Sequence, residues 1–244
     1  MKRKIEYLIG LGIERDRIGK IIQKSPQIFG YNIEENMKPK IEYLIGLGVG
    51  RNRIGKIIQK SPSIFHYNIE ENMKPKIEFF TEELGMDIDS LIPIIVVLPQ
   101  IFGLTIEDTI QPRIDYLFFM NMSSPETIAD DLVTKNYYIM FYFSLENRVG
   151  PRISLMQSSD LALGTYIKIS NVDFSRKYED VIEKYIVSKG SDIIDCKSPI
   201  EKYDKFVDLW QRGDGKEWLL RTKNGRNKYE KIFGKDAALV NALK

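Results

Sequence analysis

Apolar residues along the first 150 positions recur at helical spacing, and the same string of polar and apolar residues returns after 36 positions. Residues 4–39 and 40–75 differ only at Ile13/Val49, Glu14/Gly50, Asp16/Asn52, Gln27/Ser63 and Gly30/His66. A fixed period of about 20–50 residues marks stacked supersecondary units, none of which can bury its apolar face alone. A third repeat opens at Lys76-Ile77-Glu78-Phe79-Phe80 and closes at Pro112, and a fourth opens at Arg113-Ile114-Asp115-Tyr116-Leu117 and closes at Pro151. A degraded fifth copy, 152–187, starts at Arg152-Ile153-Ser154-Leu155. The prolines at 39, 75, 112 and 151 are each followed by a basic residue and then Ile.

Within a repeat, Pro39 suits the first turn of a helix, where its missing N–H costs nothing. Ile41, Leu44 and Ile45 then form one apolar stripe, and Gly48 predicts a left-handed stop. A second helix is expected from about Asn52, with Ile54, Ile57 and Ile58 inward, ending at Ser61-Pro62 because the residue before proline is pushed out of the helical region. Ile64-Phe65 makes a short third apolar segment, and Asn68–Met73 a turn or short helix leading to Pro75. No strand pattern appears in this region. The pattern therefore predicts an all-α solenoid of repeats about 36–39 residues long, followed by a basic, mostly helical tail or cap over 188–244.

Composition narrows the function classes. No apolar stretch approaches the roughly 18–20 residues of a membrane span, so no membrane partner is expected. One Cys and one His leave no ligand set for a structural zinc site, and no glycine-rich phosphate loop is present. Gly10-Leu11-Gly12 reads as a helix stop. No cofactor, metal site or catalytic residue is expected, and the chain reads as a non-enzyme. Asp130-Asp131 and Asp87/Asp89 are read as exposed helix caps, and Tyr137, Tyr138, Phe141, Tyr142 and Phe143 as core rather than a stacking platform. His66 is read as a surface residue and Cys196 as an ordinary thiol.

The near-zero net charge hides an uneven distribution. Basic residues outnumber acidic ones fifteen to eight over 1–76, fall to three against twelve over 77–151, and recover to eighteen against fourteen over 152–244. In the second helix of the first repeat, Arg17, Lys20 and Lys24 share one face, as do Arg53, Lys56 and Lys60 in the second repeat. Neither stripe contains an acidic residue. Two readings stay open: a solvated face, or contacts to a phosphate backbone. Lys40, Lys76, Arg113 and Arg152, each directly after a repeat proline, form a second set, read either as phosphate contacts or as packing and salt bridging at the helix start.

The combination of a first helix ending in Leu-Gly, a second helix, then Ser25-Pro26-Gln27-Ile28-Phe29, Ser61-Pro62-Ser63-Ile64-Phe65 or Leu98-Pro99-Gln100-Ile101-Phe102, and finally a Pro-[Lys/Arg]-Ile opener resembles the repeat of the mitochondrial transcription termination factor (mTERF) family. The resemblance covers roughly residues 1–187. It implies two α-helices and a short 3-10 helix per repeat, stacked into a curved superhelix with a basic groove. It also implies a monomeric partner of nucleic acid, double-stranded DNA first and RNA as an alternative, acting in organelle transcription termination or RNA processing in mitochondria or plastids. The groove cations would fall among Arg17, Lys20, Lys24, Arg53, Lys56, Lys60, Lys40, Lys76, Arg113 and Arg152.

Three features depart from that pattern. The third repeat offers Ile94-Ile95-Val96-Val97 where the stripe would stand, and the fourth has lost its mid-repeat proline. The acidic middle, 77–151, is a possible docking face for a protein, so a protein-interaction solenoid is the alternative function. The third departure is that Met1-Lys2-Arg3-Lys4 leaves no room for a transit peptide. Without a capping repeat before residue 4, the first repeat is also expected to expose its stacking face.

In the tail, Tyr203, Phe206, Val207 and Trp210 are spaced as an amphipathic helix after a break at Ser188-Lys189-Gly190-Ser191. Short helices are expected beyond it, with Asp236 capping the last and a hairpin at Asn224-Gly225 as the alternative.

Overall fold

The computed structural model describes residues 2–157, 159–219, 221, 226 and 227. Among these the secondary structure is helical, with no strand. The chain forms two compact units, Met1–Leu104 and Thr105–Lys244. The boundary falls inside the third repeat, after its 3-10 segment. The tail positions around Asn224-Gly225 and Asp236 lie outside the described residues.

The N-terminal unit holds α1 (Lys2–Gly10), α2 (Arg15–Lys24), α3 (Lys38–Gly46), α4 (Arg51–Lys60), α5 (Lys74–Glu78) and α6 (Ile88–Val97). Gly12 and Gly48 end the first helices at φ 85° and 101°, a region that glycine reaches without a Cβ penalty. α4 starts at Arg51 with Gly50 as its cap, so Asn52 stands one turn position inside the helix rather than capping it. The 3-10 segments Pro26–Phe29, Pro62–Phe65 and Pro99–Gly103 stack in a row, as do α2, α4 and α6. Ile54, Ile57, Ile58, Ile64 and Phe65 are fully buried between them. Each such side chain contributes about 1.5–3 kcal/mol.

Pro39 does lie in the first turn of α3, but the helical path begins earlier. A π turn, Ile33–Met37, runs into α3 without a break and is capped by Asn32, whose side chain accepts from the Glu34 amide at 2.9 Å. Asn68 caps the equivalent turn Ile69–Met73 at 2.8 Å from the Glu70 amide. The π turn offers an explanation: in a regular helix the proline ring would press on the carbonyl four residues back, and one wide turn just before it relieves the crowding.

The stack also depends on close backbone approach. A Cβ on Gly55 of α4 would lie 2.8 Å from the Leu11 carbonyl oxygen and 3.0 Å from that of Gly12. Gly55→Ala is therefore expected to push α4 off the first repeat and lower the unfolding midpoint, although alanine favours helix. Gly19→Ala in α2, where an added Cβ meets nothing, is expected to raise it slightly. Thermal unfolding of the two variants followed by circular dichroism tests the pair.

The C-terminal unit holds α7 (Gln111–Phe119), α8 (Ile128–Thr134), α9 (Gly150–Met156), α10 (Leu163–Ile167), α11 (Asn171–Lys177), α12 (Glu179–Ser188), α13 (Pro199–Arg212) and α14 (Lys216–Leu219). The fourth repeat keeps its 3-10 segment, Tyr137–Tyr142, despite the lost proline, because Asn136 adopts φ 57° and reverses the chain after α8. Tyr137 and Phe141 of this segment are buried, whereas Tyr142 is exposed. α12 ends at Ser188, and the chain turns at Gly190 with φ 73°. α13 packs on α9, α11 and α12 and buries Tyr203, Phe206, Val207 and Trp210. The indole of Trp210 donates to Ser154 Oγ at 2.9 Å, which ties α13 to the first helix of the fifth repeat.

Asp131 departs from the exposed cap expected of it. It is 6% exposed in α8 and accepts from Ser123 Oγ at 2.7 Å and Thr127 Oγ1 at 3.2 Å, with Lys135 at 2.9 Å. Burial alone would raise its carboxyl, but the hydrogen bonds from Ser123, Lys135 and Thr127 outweigh burial and hold it below the usual value. A depressed folded-state pKa stabilises above the unfolded carboxylate range and loses that contribution as pH falls through the folded value. Asp131→Asn is expected to cost about 1–2 kcal/mol at neutral pH and to flatten the fall in stability below about pH 4, as read from denaturant midpoints across pH.

Candidate nucleic-acid interface

The structure separates the ten sequence-derived cations into two groups. Arg17, Lys20 and Lys24 on α2 and Arg53, Lys56 and Lys60 on α4 are all exposed, on two helices that pack directly against each other. The apolar residues of these helices, Ile18 and Ile21 on α2 and Ile54, Ile57 and Ile58 on α4, are buried on the opposite side. The helical period forces this division, since the basic and apolar residues fall on different faces.

The six are not equivalent. Lys24 Nζ reaches the Gln59 carbonyl at 3.4 Å, and Lys60 Nζ reaches the Val96 and Val97 carbonyls at 3.2 Å. Each lysine thus caps the C-terminal carbonyls of the next second helix in the stack, where the helix dipole favours a cation. Burial lowers the Lys60 pKa, with Lys56 adding to the shift. Arg17 Nε lies 3.7 Å from both Glu14 and Asp16. The second repeat has Gly50 and Asn52 at those two positions, so two of the five differences between the copies remove the acids beside Arg53. The acids that partner Arg17 stand just ahead of the stripe, which is why the stripe alone looked uncompensated.

The post-proline set sits in the interior. Lys40 and Lys76 are each 8% exposed, Arg113 is 7% exposed and Arg152 is fully buried. Arg113 donates to the Thr109 carbonyl at 2.6 Å, the Phe143 carbonyl at 2.7 Å and the Met140 carbonyl at 3.2 Å. Burial pushes its guanidinium down to about 10, against an opposing effect of Glu146, so it stays charged at neutral pH. Arg152 donates to the carbonyls of Tyr166 (2.6 Å), Ile169 (2.9 Å), Ile167 and Ser170 (both 3.3 Å), to Asn171 Oδ1 (2.8 Å) and to the Tyr203 hydroxyl (3.2 Å). Its guanidinium also lies 4.1 Å from the Phe174 ring centroid. Lys4, which holds the same place in the first repeat, donates to the Phe29 carbonyl. At Lys4 and Arg113 the opening cation caps the carbonyls that end its own repeat's 3-10 segment, satisfying groups that would otherwise be buried without partners. Arg113 and Arg152 face carbonyls rather than solvent, and Lys40 and Lys76 are buried.

The acidic middle also has internal partners. Asp115 pairs with Arg221 at 3.4 Å and Asp108 with Arg226 at 2.9 Å, while Trp218 stacks edge-on against Tyr116 at 5.0 Å. Part of the basic tail thus neutralises carboxylates of α7 and the turn before it.

Comparison with known proteins bears on the repeats alone. The mTERF family model matches residues 1–129, more than half of the chain. The chain belongs to the mTERF family. No curated protein matches it by sequence. mTERF proteins are helical solenoids that in general bind nucleic acid, are not enzymes and are generally organellar. The matched residues include α2 and α4 and the whole exposed stripe. Among the described residues of this mTERF chain no helix is long and apolar enough to cross a membrane.

Proposed function

We propose that this mTERF protein binds double-stranded DNA through the phosphate backbone, using the exposed face of α2 and α4, and acts in organelle-type transcription termination or regulation. The observation that supports this reading is the direct packing of two helices whose solvent faces carry Arg17, Lys20, Arg53 and Lys56, with no carboxylate on either stripe. Arg53 and Lys56 are the central contacts. Arg17 contributes once the phosphate displaces Glu14 and Asp16, and Lys24 and Lys60 add charge while holding the neighbouring helix. The interior set, Lys40, Lys76, Arg113 and Arg152, supports the fold on which this surface stands.

Titration of duplex binding with salt tests the reading. Six neutralised phosphates give a slope of log K against log salt of about −5 for a duplex. Absence of binding at low salt, or a slope near zero, overturns it. A single-stranded or hairpin RNA competitor that displaces the duplex at equal concentration would move the assignment to RNA.

A further inference from the structure

A cleft of about 520 Å³ opens in the Thr105–Lys244 unit between the start of α11 and one face of α13, a size that suits a small molecule. Helical period builds its wall: Asp204, Val207, Asp208 and Gln211 follow one another at i, i+3, i+4 and i+7 on α13. Val207 and Tyr203, both buried, supply its apolar surface.

Two carboxamides in this cleft have orientations fixed by their partners. Gln211 is only 2% exposed, and its Nε2 donates to the Glu146 carbonyl at 3.0 Å and to Asn147 Oδ1 at 3.3 Å. A backbone carbonyl only accepts, so the amide nitrogen must face it. Oε1 is then turned the other way, into the cleft, with no donor among the described residues. Asn171 is the reverse case. Its Oδ1 accepts from Arg152 at 2.8 Å and from Arg148 at 3.2 Å, two groups that only donate, and Nδ2 is the end left for the cleft. Other donors point elsewhere: the Tyr203 hydroxyl to the Asn147 carbonyl and Asn147 Nδ2 to Ser144 Oγ, both at 3.1 Å. The α13 face adds the carboxylates of Asp204 and Asp208. Asp208 gives one oxygen to Arg212 at 2.8 Å, and a carboxylate has lone pairs for further partners.

We propose that this cleft binds a guanine base by its Watson–Crick edge. The cleft sets one fixed donor, Asn171 Nδ2, against three acceptor groups, Gln211 Oε1 and the two carboxylates, so it fits an edge with more donors than acceptors. Guanine has such an edge, with N1–H and the N2 amino group beside the O6 acceptor. Adenine offers one donor and one acceptor there, and cytosine and uracil offer more acceptors than donors. A guanidinium or ammonium group accepts nothing and would leave Asn171 Nδ2 without a partner. In the complex Asn171 Nδ2 donates to O6, while Gln211 Oε1 and a carboxylate accept from N1–H and the N2 amino group. The ring lies against Val207 and Tyr203. Asp204 and Asp208 repel a phosphate, so the ligand enters base first, as a nucleoside or as an unpaired guanine in a strand.

Calorimetric titration of the full chain with guanosine, adenosine, cytidine and uridine tests the proposal. Guanosine binds about tenfold tighter or more than the other three, each of which leaves a polar group of the cleft unanswered. Guanosine 5′-monophosphate binds no tighter than guanosine. Asp204→Asn combined with Asp208→Asn, which turns acceptors into amides on the outer side of α13, removes the preference while the unfolding temperature shows an intact unit. A thymine hexamer carrying one guanine, with the all-thymine hexamer as control, identifies the source. Displacement of guanosine by the first alone assigns the cleft to a base within a strand, and no displacement assigns it to the free nucleoside. Equal affinities for the four nucleosides, no binding of guanosine, a tighter monophosphate, or a double variant that keeps the preference overturns the proposal. None of these outcomes bears on the phosphate surface of α2 and α4.

Discussion

Arg152→Ala is expected to lower the stability of the Thr105–Lys244 unit by about 3–5 kcal/mol, the range for removing one partner from a buried charged network. The reason lies in what would be left behind. The guanidinium serves four backbone carbonyls, Asn171 and the Tyr203 hydroxyl in a fully buried site, and alanine strands those acceptors without water. Arg152→Lys keeps a charge but offers one compact ammonium with three protons in place of a planar fork, so it is expected to recover only part of the loss. Both tryptophans, Trp210 and Trp218, lie in this unit. Their fluorescence therefore reports its unfolding while circular dichroism reports the whole chain. For a unit of this size the alanine variant shifts the fluorescence midpoint by about 10 °C. A shift below about 2 °C would show that the network does not hold the unit. Duplex affinity and its salt slope stay unchanged in Arg152→Lys, because the side chain does not reach solvent.

The second large effect is on binding. Replacing Arg17, Lys20, Arg53 and Lys56 together by Gln is expected to weaken duplex affinity by about three to four orders of magnitude near 0.1 M salt, and to make the slope shallower by about 3 to 4. Single variants separate the roles. Arg53→Gln costs more than Arg17→Gln, since Arg17 already has Glu14 and Asp16 beside it. Lys60→Gln costs less in binding than Lys56→Gln but more in stability, because Lys60 caps the Val96 and Val97 carbonyls. Circular dichroism of the fourfold variant checks that the helices persist. Equal affinities for that variant and the parent chain would refute a phosphate surface on α2 and α4.

The positions of these two predictions show what a repeat sequence conveys. The spacing of Ile54, Ile57 and Ile58 and the marks Pro62-Ser63-Ile64-Phe65 were enough to place a helix, its end and a short apolar segment after it, because local periodicity and proline stereochemistry act within a few residues; that this segment is a 3-10 helix came from the family resemblance. The glycine stops at Gly12 and Gly48 were legible for the same reason. Loss of the proline in the fourth repeat was readable as a departure, but its repair by a left-handed Asn136 was not, since many residues can start a 3-10 turn. Asp131 was misread as exposed because its partners Ser123 and Thr127 come from the loop ahead of α8, whose path sequence spacing does not define.

The candidate site divides along the same line. The stripe residues were separable from the core by helical period alone, whereas the post-proline cations were not. Two of the three carbonyls that accept from Arg113 lie 27 and 30 residues further along, and Arg152 finds Tyr203 at a distance of 51 residues, so little nearby in the chain marks them as interior. One signal did exist: the opening cation persists as Arg113 and Arg152 where the rest of the repeat has drifted, as a buried cap requires.

The sequence by itself determined the period, the helices, the apolar faces and the family, because each depends on short-range geometry repeated along the chain. Tertiary structure alone decided which cations meet solvent and which are buried, and how α13 is joined to the fifth repeat. Those outcomes depend on which distant backbone groups need a partner, and that is fixed only when the repeats stack.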